Sequence, residues 1–102
     1  MTNRTYRLYP KAIEYLENLY AYSLQTFGRP RTKRYIKHLE QTFVKALHQP
    51  ELSRSCDLVQ KSLKAINAES HVVFFKETTQ GIIIIRILHK AMDHSRHLNA
   101  LN

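Results

Sequence analysis

The sequence predicts an α+β domain in which an antiparallel two-helix hairpin packs on one face of a four-stranded, mostly antiparallel sheet. Two amphipathic helical patterns occupy the first half of the chain, and three strand-like runs separated by turn-forming residues occupy the last third. A short segment of alternating polar and apolar residues, 4–9, precedes the helices. Because the order is strand, helix, helix and three strands, we expect residues 1–102 to form a single domain of this class.

The helices are predicted from apolar residues that recur at three- and four-residue steps. Pro10 suits the first position of a helix, where its missing N–H would be unpaired anyway, and Gly28 suits the end of one. The second pattern starts at Pro30 and is closed by Pro50. The link between the patterns is so short that the helices should be antiparallel neighbours. Residues 51–61 show no clear period and are predicted to be a connection.

A three-stranded antiparallel meander is predicted over residues 62–66, 71–76 and 82–88, with the turn-forming runs NAES and ETTQG between the strands. The last strand, IIIIRIL, is apolar on both faces. It is therefore expected inside the sheet, with the N-terminal strand as its other neighbour. After Leu88 the apolar spacing lengthens, which favours a short C-terminal helix or tail.

Arg86 places a permanent charge inside the most apolar segment of the chain. Simple alternation would put it on one face of the strand with Ile82, Ile84 and Leu88. A buried guanidinium needs a carboxylate partner or a route to water, because leaving it unpaired is costly. Two interpretations stay open. Arg86 forms an ion pair with Asp93, Glu14 or Glu17, or it is a charge on the open sheet face, aimed at a target.

The chain is strongly basic, since sixteen Lys and Arg against eight Asp and Glu give a formal charge of +8. Such an excess indicates an anionic partner, which could be nucleic acid, an acidic protein or an acidic membrane surface. No apolar run approaches the roughly 20 residues of a membrane span, and the first residues contain no signal-peptide segment. Cys56 is the single cysteine, so no internal disulfide is possible. We expect a cytoplasmic protein.

Histidines cluster near the end of the chain. On a helix, His89 and Asp93 would share a face, and such a pair could act as a general base in RNA cleavage. A solvated basic helix end is the interpretation we favour. No metal site is predicted, because no standard ligand spacing is present. The candidates for one would have been His94, His97, Cys56 and His71.

Five basic residues lie between Arg29 and Lys37, at the turn between the helices. A helix-turn-helix DNA reader would place the second helix in the major groove. That helix, however, commits its apolar line to a core and carries its basic residues at its start. Phosphate contact or simple solvation fits the pattern better, so nucleic-acid contact is expected to be at most non-specific.

Several runs of the chain resemble the ParE toxins of bacterial toxin–antitoxin systems, within the wider RelE/ParE superfamily. The resemblance is carried by SHVVFF, by IIIIRILHKAMD followed by RHL, and upstream by YRLYPKA, FG and QPELSRSCD, so that it spans roughly residues 6–98. It implies a small basic toxin that inhibits DNA gyrase and blocks replication, as in plasmid stabilisation. It also implies a partner antitoxin, ParD-like and acidic, that wraps the toxin with an otherwise disordered segment.

The chain departs from the family pattern at a few positions. The family usually has glycine near Ser53, and Gly-x-Arg where this chain has Ser62 and Lys64. A tyrosine often stands where Phe75 stands here. The resemblance implies target contacts around residues 62–70, so the loss of the glycines and of the arginine leaves a non-toxic remnant of the family as an alternative.

We therefore expect a growth-inhibiting toxin that acts by binding, with no catalytic residues, no cofactor and no metal. The target-binding residues are expected in the last strand and tail: Arg86, His89, Lys90, Met92, Asp93, Arg96 and His97. The antitoxin should cover exposed apolar surface, for which Tyr20, Phe27 and Tyr35 are the candidates. The main alternative is a ribosome-dependent mRNA endonuclease of RelE type. In such an enzyme Lys64, Arg86, His89 and Lys90 could hold the phosphate, provided that they converge.

Overall fold

A computed structural model describes residues 3–92 of the chain. The helices are α1, Pro10–Phe27, and α2, Arg29–His48, and a 3₁₀ turn, Pro50–Leu52, follows them. The strands are β1 (Thr5–Leu8), β2 (Arg54–Ser55), β3 (Lys64–Ala68), β4 (His71–Thr78) and β5 (Gly81–His89). This order confirms the α+β class and the helical hairpin. The predicted terminal helix or tail lies largely outside the described residues.

The sheet has five strands in the order β1-β5-β4-β3-β2, rather than the four that were predicted. The additional strand is β2, whose residues were predicted to belong to the connection 51–61. It has two residues, which pair antiparallel with the start of β3, and a pair is too short to leave a period in the sequence. β1 runs parallel to β5, and the remaining pairs are antiparallel. The expected inner position of the isoleucine strand, next to β1, is confirmed.

The main core lies between the hairpin and one face of the sheet. Ile82, Ile84 and Ile87 of β5 pack there against side chains of α2 such as Leu39 and Phe43, and all five are at most 1% exposed. The opposite face of the sheet carries a second apolar cluster, which includes Leu63, Val72, Phe74, Ile85 and Leu88. Strand β5 is thus buried on both sides, as its run of isoleucines predicted.

A β-bulge in β5 changes the direction of its second half. Phe74 stands opposite Arg86 while Phe75 stands opposite Ile84, so Ile85 is the extra residue of the bulge. Beyond it Ile87, not Arg86, turns towards the helices. The prediction that Arg86 and Leu88 share a face with Ile82 and Ile84 is therefore wrong. One inserted residue moves every later side chain of the strand to the opposite face of the sheet. The local sequence pattern does not indicate where such a residue is inserted.

Gly28 joins the two helices with a left-handed backbone, φ 83°. Its N–H donates to the Leu24 carbonyl at 3.1 Å, which ends α1, and its own carbonyl accepts the Thr32 N–H at 3.2 Å, which starts α2. The buried Thr32 hydroxyl donates to the Ser23 hydroxyl at 2.9 Å across the hairpin. These bonds fix the angle at which the helices leave the turn, and the predicted end of α1 at Gly28 is confirmed.

Candidate functional site

A cleft of about 840 Å³ opens where the turn end of the hairpin overhangs the sheet. Helices α1 and α2 form its walls, while the turn between β3 and β4 and the end of β5 form its floor. The turn contributes Glu69 and Ser70, the start of β4 contributes His71, and β5 contributes His89. Every one of these elements is positioned by the core below it, so the cleft is a pre-formed feature of the fold.

One wall of the cleft is cationic. Arg31, Arg34 and Lys37 of α2 line it at three-residue steps, which places them along one side of the helix. The Arg31 guanidinium lies over the Phe27 ring, 4.2 Å from the ring centre, so the cation is held against an aromatic surface. Among residues 3–92, Glu69 is the only carboxylate that lines the cleft. The wall therefore favours an anionic ligand that also carries apolar groups.

The floor is built on His71, which is 3% exposed and hydrogen-bonded at both ring nitrogens. The Tyr15 hydroxyl lies 3.0 Å from Nε2, and the Tyr35 hydroxyl is bonded to Nδ1. A neutral imidazole donates from one nitrogen and accepts at the other, so one tyrosine donates to the ring while the other accepts from it. The Tyr35 hydroxyl also lies 3.2 Å from the Ser70 hydroxyl. This network ties α1, α2 and β4 together beneath the cleft.

The ionisation of this network follows from its burial. Burial, and secondly the nearby His89, lowers the pKa of His71 to about 4. Burial also raises the pKa of the Tyr15 and Tyr35 hydroxyls above the ordinary value of tyrosine. All three groups are consequently neutral near pH 7. Both ring nitrogens of His71 are engaged by tyrosine hydroxyls.

The predicted antitoxin-binding residues are divided between the cleft and the outer surface. Phe27 and Tyr35 line the cleft, and Phe27 is 45% exposed. Tyr20 is 41% exposed on α1 but does not line the cleft. Their role in antitoxin binding stays a prediction.

Arg86 is half-buried at the side of the sheet, beside the start of α1. It lines a small hollow of about 160 Å³ together with Glu14. Within residues 3–92 it forms no ion pair, although one of its terminal nitrogens lies 3.5 Å from the Ile85 carbonyl oxygen. The proposed ion pairs with Glu14 and Glu17 are therefore absent, and the third candidate, Asp93, lies outside the described residues. Arg86 reaches water at the rim instead.

The residues after β5 fold back over its end. The Lys90 N–H donates to the Ser70 carbonyl at 2.9 Å, the Met92 N–H donates to the His89 carbonyl at 3.0 Å, and the Ala91 N–H donates to His89 Nδ1 at 3.0 Å. His89 thereby lies at the junction between the cleft and the predicted target-binding tail. Three further residues predicted for that tail lie outside the described residues: Asp93, Arg96 and His97. Lys64 forms an ion pair with Glu77 at 2.8 Å and does not line the cleft. The four residues that could together have bound a phosphate therefore do not converge in the cleft: Lys64, Arg86, His89 and Lys90.

A family model described as the ParE toxin of type II toxin–antitoxin system, parDE, matches residues 6–94. The chain belongs to the ParE toxin family. It is 30% identical over 94 residues to Toxin ParE1 of Mycobacterium tuberculosis (strain ATCC 25618 / H37Rv). The aligned residues cover 91% of this chain and 96% of that relative. Toxin ParE1 of Caulobacter vibrioides (strain ATCC 19089 / CIP 103742 / CB 15) is 27% identical over 95 residues, or 93% and 98% of the two chains.

A solved structure, "Chromosomal ParDE TA system from P. aeruginosa", matches the fold with a TM-score of 0.70. It covers 84% of this chain and 95% of that chain at 12% sequence identity. At this identity the likeness supports the fold alone. No helix among residues 3–92 of this ParE family member is long and apolar enough to cross a membrane.

The positions at which this ParE family member departs from the expected pattern have different physical characters. Ser62 has a left-handed backbone, φ 68°, which is the conformation that favours glycine. Ser53 is extended, φ −85°, and needs no glycine. Lys64 forms its ion pair with Glu77, and Phe75 is fully buried in the core. The fold accommodates all four residues, with strain only at Ser62.

The His71 network is the part of the ParE site that sequence reasoning missed. Its two tyrosines stand 56 and 36 residues before His71 in the chain, so no spacing could connect them. Two weak signals were available. His71 opens a strand directly after a turn, where its side chain reaches the end of the sheet, and Tyr15 and Tyr35 lie on opposite arms of the predicted hairpin.

Proposed function

We propose that this ParE family member is the toxin of a cytoplasmic toxin–antitoxin pair and inhibits DNA gyrase by binding it, without a catalytic step of its own. The match of the family model over residues 6–94 carries the proposal. The absence of a catalytic step is supported by the His71 network, in which both ring nitrogens are occupied by tyrosine hydroxyls. A pair of carboxylates that could act as acid and base is also not found there, because among the described residues only Glu69 lines the cleft.

The target contact is proposed for the end of β5 and the residues that follow it. Arg86 is a half-exposed cation without an ion pair among residues 3–92, so its charge is available to a partner. His89 and Lys90, which follow Arg86 in the chain, are exposed, and Met92 is partly exposed. A flexible thioether among cations suits a protein surface that combines apolar and acidic groups.

The antitoxin contact is proposed for the cleft. An acidic segment would place carboxylates against Arg31, Arg34 and Lys37 and apolar side chains against Phe27 and Tyr22. This pairing matches the +8 formal charge of the chain, and the cleft contains two of the three residues expected to bind the antitoxin, Phe27 and Tyr35. The cleft and the β5 end meet at His89, so an antitoxin in the cleft would also obstruct the target contact.

The alternative function, cleavage of mRNA on the ribosome, is favoured by one observation. His89 and the cations of α2 line the same cleft, where they could hold a phosphate. Induction of the chain alone in cells separates the two functions. Gyrase inhibition predicts a DNA-damage response with intact mRNA. An endonuclease would produce codon-specific cuts in ribosome-bound mRNA without that response, and this result would overturn the proposal.

A further inference from the structure

The most exposed large apolar side chain of the described residues lies in the connection between α2 and β3. Leu58 has a relative exposure of 105%, whereas the next large apolar side chain, Tyr22, reaches 62%. Val59 follows at 43%, and Leu52, shortly before β2, at 54%. Leu58 and Val59 are consecutive, so two exposed aliphatic side chains lie together in this connection.

The loop that carries Leu58, residues 56–62, is closed by its own hydrogen bonds. At its base the Cys56 N–H donates to the carbonyl of the fully buried Leu63 at 2.8 Å. Inside it, the Val59 and Gln60 N–H groups both donate to the Cys56 carbonyl, at 3.0 and 3.1 Å. These bonds keep Leu58 at the tip without any contact that buries it. Because these bonds already order the backbone of the loop, a partner that covers Leu58 does not have to order the loop as well.

The charges around the 56–62 loop are mainly positive. The carboxylate of Asp57 accepts the Ser62 N–H at 2.9 Å and is therefore engaged within the loop. Lys61 lies within the loop and is exposed, and Arg54, in β2 at the base of the loop, is exposed and donates to the Asn67 side chain at 3.1 Å. An apolar tip on a base of net positive charge is complementary to an apolar pocket with an acidic rim, which is a feature of protein surfaces. Nucleic acid would satisfy the cations but would have to unstack its bases to receive a leucine.

The 56–62 loop and the cleft lie at opposite ends of β3. The loop leads into Lys64 at the start of the strand, while Ala68 at its end adjoins Glu69 of the cleft. A strand of five residues separates them by about 16 Å. A partner that covers Leu58 therefore leaves the cleft accessible.

We propose that the 56–62 loop is a second target contact, which inserts Leu58 into an apolar, acid-rimmed pocket on the protein that this toxin inhibits. The inference rests on the proposed function, because it takes that protein to be DNA gyrase. It extends the target surface beyond the β5 end, to a loop whose apolar tip, Leu58, was not among the residues expected to bind the target.

The test is binding of the full-length chain to gyrase holoenzyme and, separately, to its cognate antitoxin. Leu58→Asp should weaken gyrase binding by about tenfold or more, because an apolar anchor is lost and a charge meets the acidic rim. Leu58→Lys should weaken it less, and Leu58→Met should retain it. Val44→Asp is the matched control, since Val44 is an exposed aliphatic residue on α2, 44% exposed. Antitoxin binding should stay unchanged in all four variants, which also reports that each one folds.

Equal gyrase affinity of Leu58→Asp and wild type would overturn the inference while leaving the proposed function intact. Tight binding of duplex DNA that depends on Leu58 would also overturn it, since the loop would then be a wedge between bases. A wild-type chain that binds antitoxin but not gyrase would overturn the proposed function, and the loop's assignment to gyrase with it.

Discussion

Ser62 is the residue at which this chain departs most clearly in physical terms from the glycine expected of its family. Its φ of 68° places a side chain where the Cβ crowds the backbone. The Ser62 N–H is held by the Asp57 carboxylate, which offsets part of the strain. The departure therefore costs stability locally without altering the fold.

We predict that Ser62→Gly raises the free energy of unfolding by about 0.5–1 kcal/mol, because relief of left-handed strain exceeds the entropy that glycine adds to the unfolded chain. Ser53→Gly is the control. Ser53 is extended, so glycine there should lower stability by a similar amount. Denaturant titration measures both changes, and equal signs would contradict the explanation.

His71 should make the stability of the protein dependent on pH. In the folded state its pKa is about 4, against an ordinary 6.5, so the unfolded chain takes up a proton that the folded chain refuses. The groups that face the ring are Tyr15, Tyr35 and His89. We expect the free energy of unfolding to fall by up to about 3 kcal/mol as the pH drops from 6.5 to 4.

The measurement is chemical unfolding at several pH values for wild type and His71→Gln. The variant should start less stable at pH 7, because glutamine does not reproduce both tyrosine bonds, and its profile should be flatter between pH 6.5 and 4. Parallel profiles for the two proteins would show that another group causes the acid sensitivity.

At the scale of elements, the β1–β5 pair depends on Gly81. A Cβ at that position would lie 1.8 Å from the Thr5 carbonyl oxygen, and the backbone has φ 148°. Gly28, at φ 83°, has nothing within 4 Å of the same hypothetical atom. One glycine is therefore required by contact with a neighbouring strand, and the other by its backbone angle alone.

We predict that Gly81→Ala costs about 3 kcal/mol or more and detaches β1, whereas Gly28→Ala costs about 1–2 kcal/mol. Thermal unfolding gives the two stabilities, and amide exchange of Thr5–Leu8 reports the state of β1. If Gly81→Ala retained full protection of β1, the close approach of the two strands would not be the reason for the glycine.

The long elements could be predicted from the sequence, because each has a strong period. α1, α2, β4 and β5 were all located, and the order of β1, β5 and β4 followed from the apolar character of β5 on both faces. Strand β2 is too short to show a period. The bulge at Ile85 depends on packing against β4, and it reversed the expected face of Arg86.

The candidate site was less predictable than the fold, because it is made by elements that are distant in sequence. The cluster of basic residues near the helical turn was visible, but not that it faces a cleft. Tyr35 was named for its exposure, and its bond to His71 appears only when α2 is laid over the end of β4. The roles of the residues after Met92 stay predictions, since they lie beyond the described range.

At the scale of the whole molecule, part of the excess positive charge lies on the wall of the cleft. We predict that Arg34→Glu weakens binding of the antitoxin proposed for the cleft by about tenfold or more, because it reverses a charge on the cleft wall. Lys33→Glu is the matched control. It makes the same change in net charge one residue away, on an exposed side chain that does not line the cleft.

Titration calorimetry at two salt concentrations measures these affinities. Wild-type binding should weaken as salt rises, and the salt dependence should be smaller for Arg34→Glu than for Lys33→Glu. If the two variants bound the antitoxin equally, net charge rather than the cleft would govern the interaction.

The most direct test of a toxin that acts by binding is a titration of gyrase supercoiling activity with the purified chain, with ribosome-bound mRNA assayed in parallel. We predict that supercoiling is lost in proportion to the toxin bound, that added antitoxin restores it, and that the mRNA stays intact. Full supercoiling activity in excess toxin, together with mRNA cut by catalytic amounts of the chain, would contradict the account.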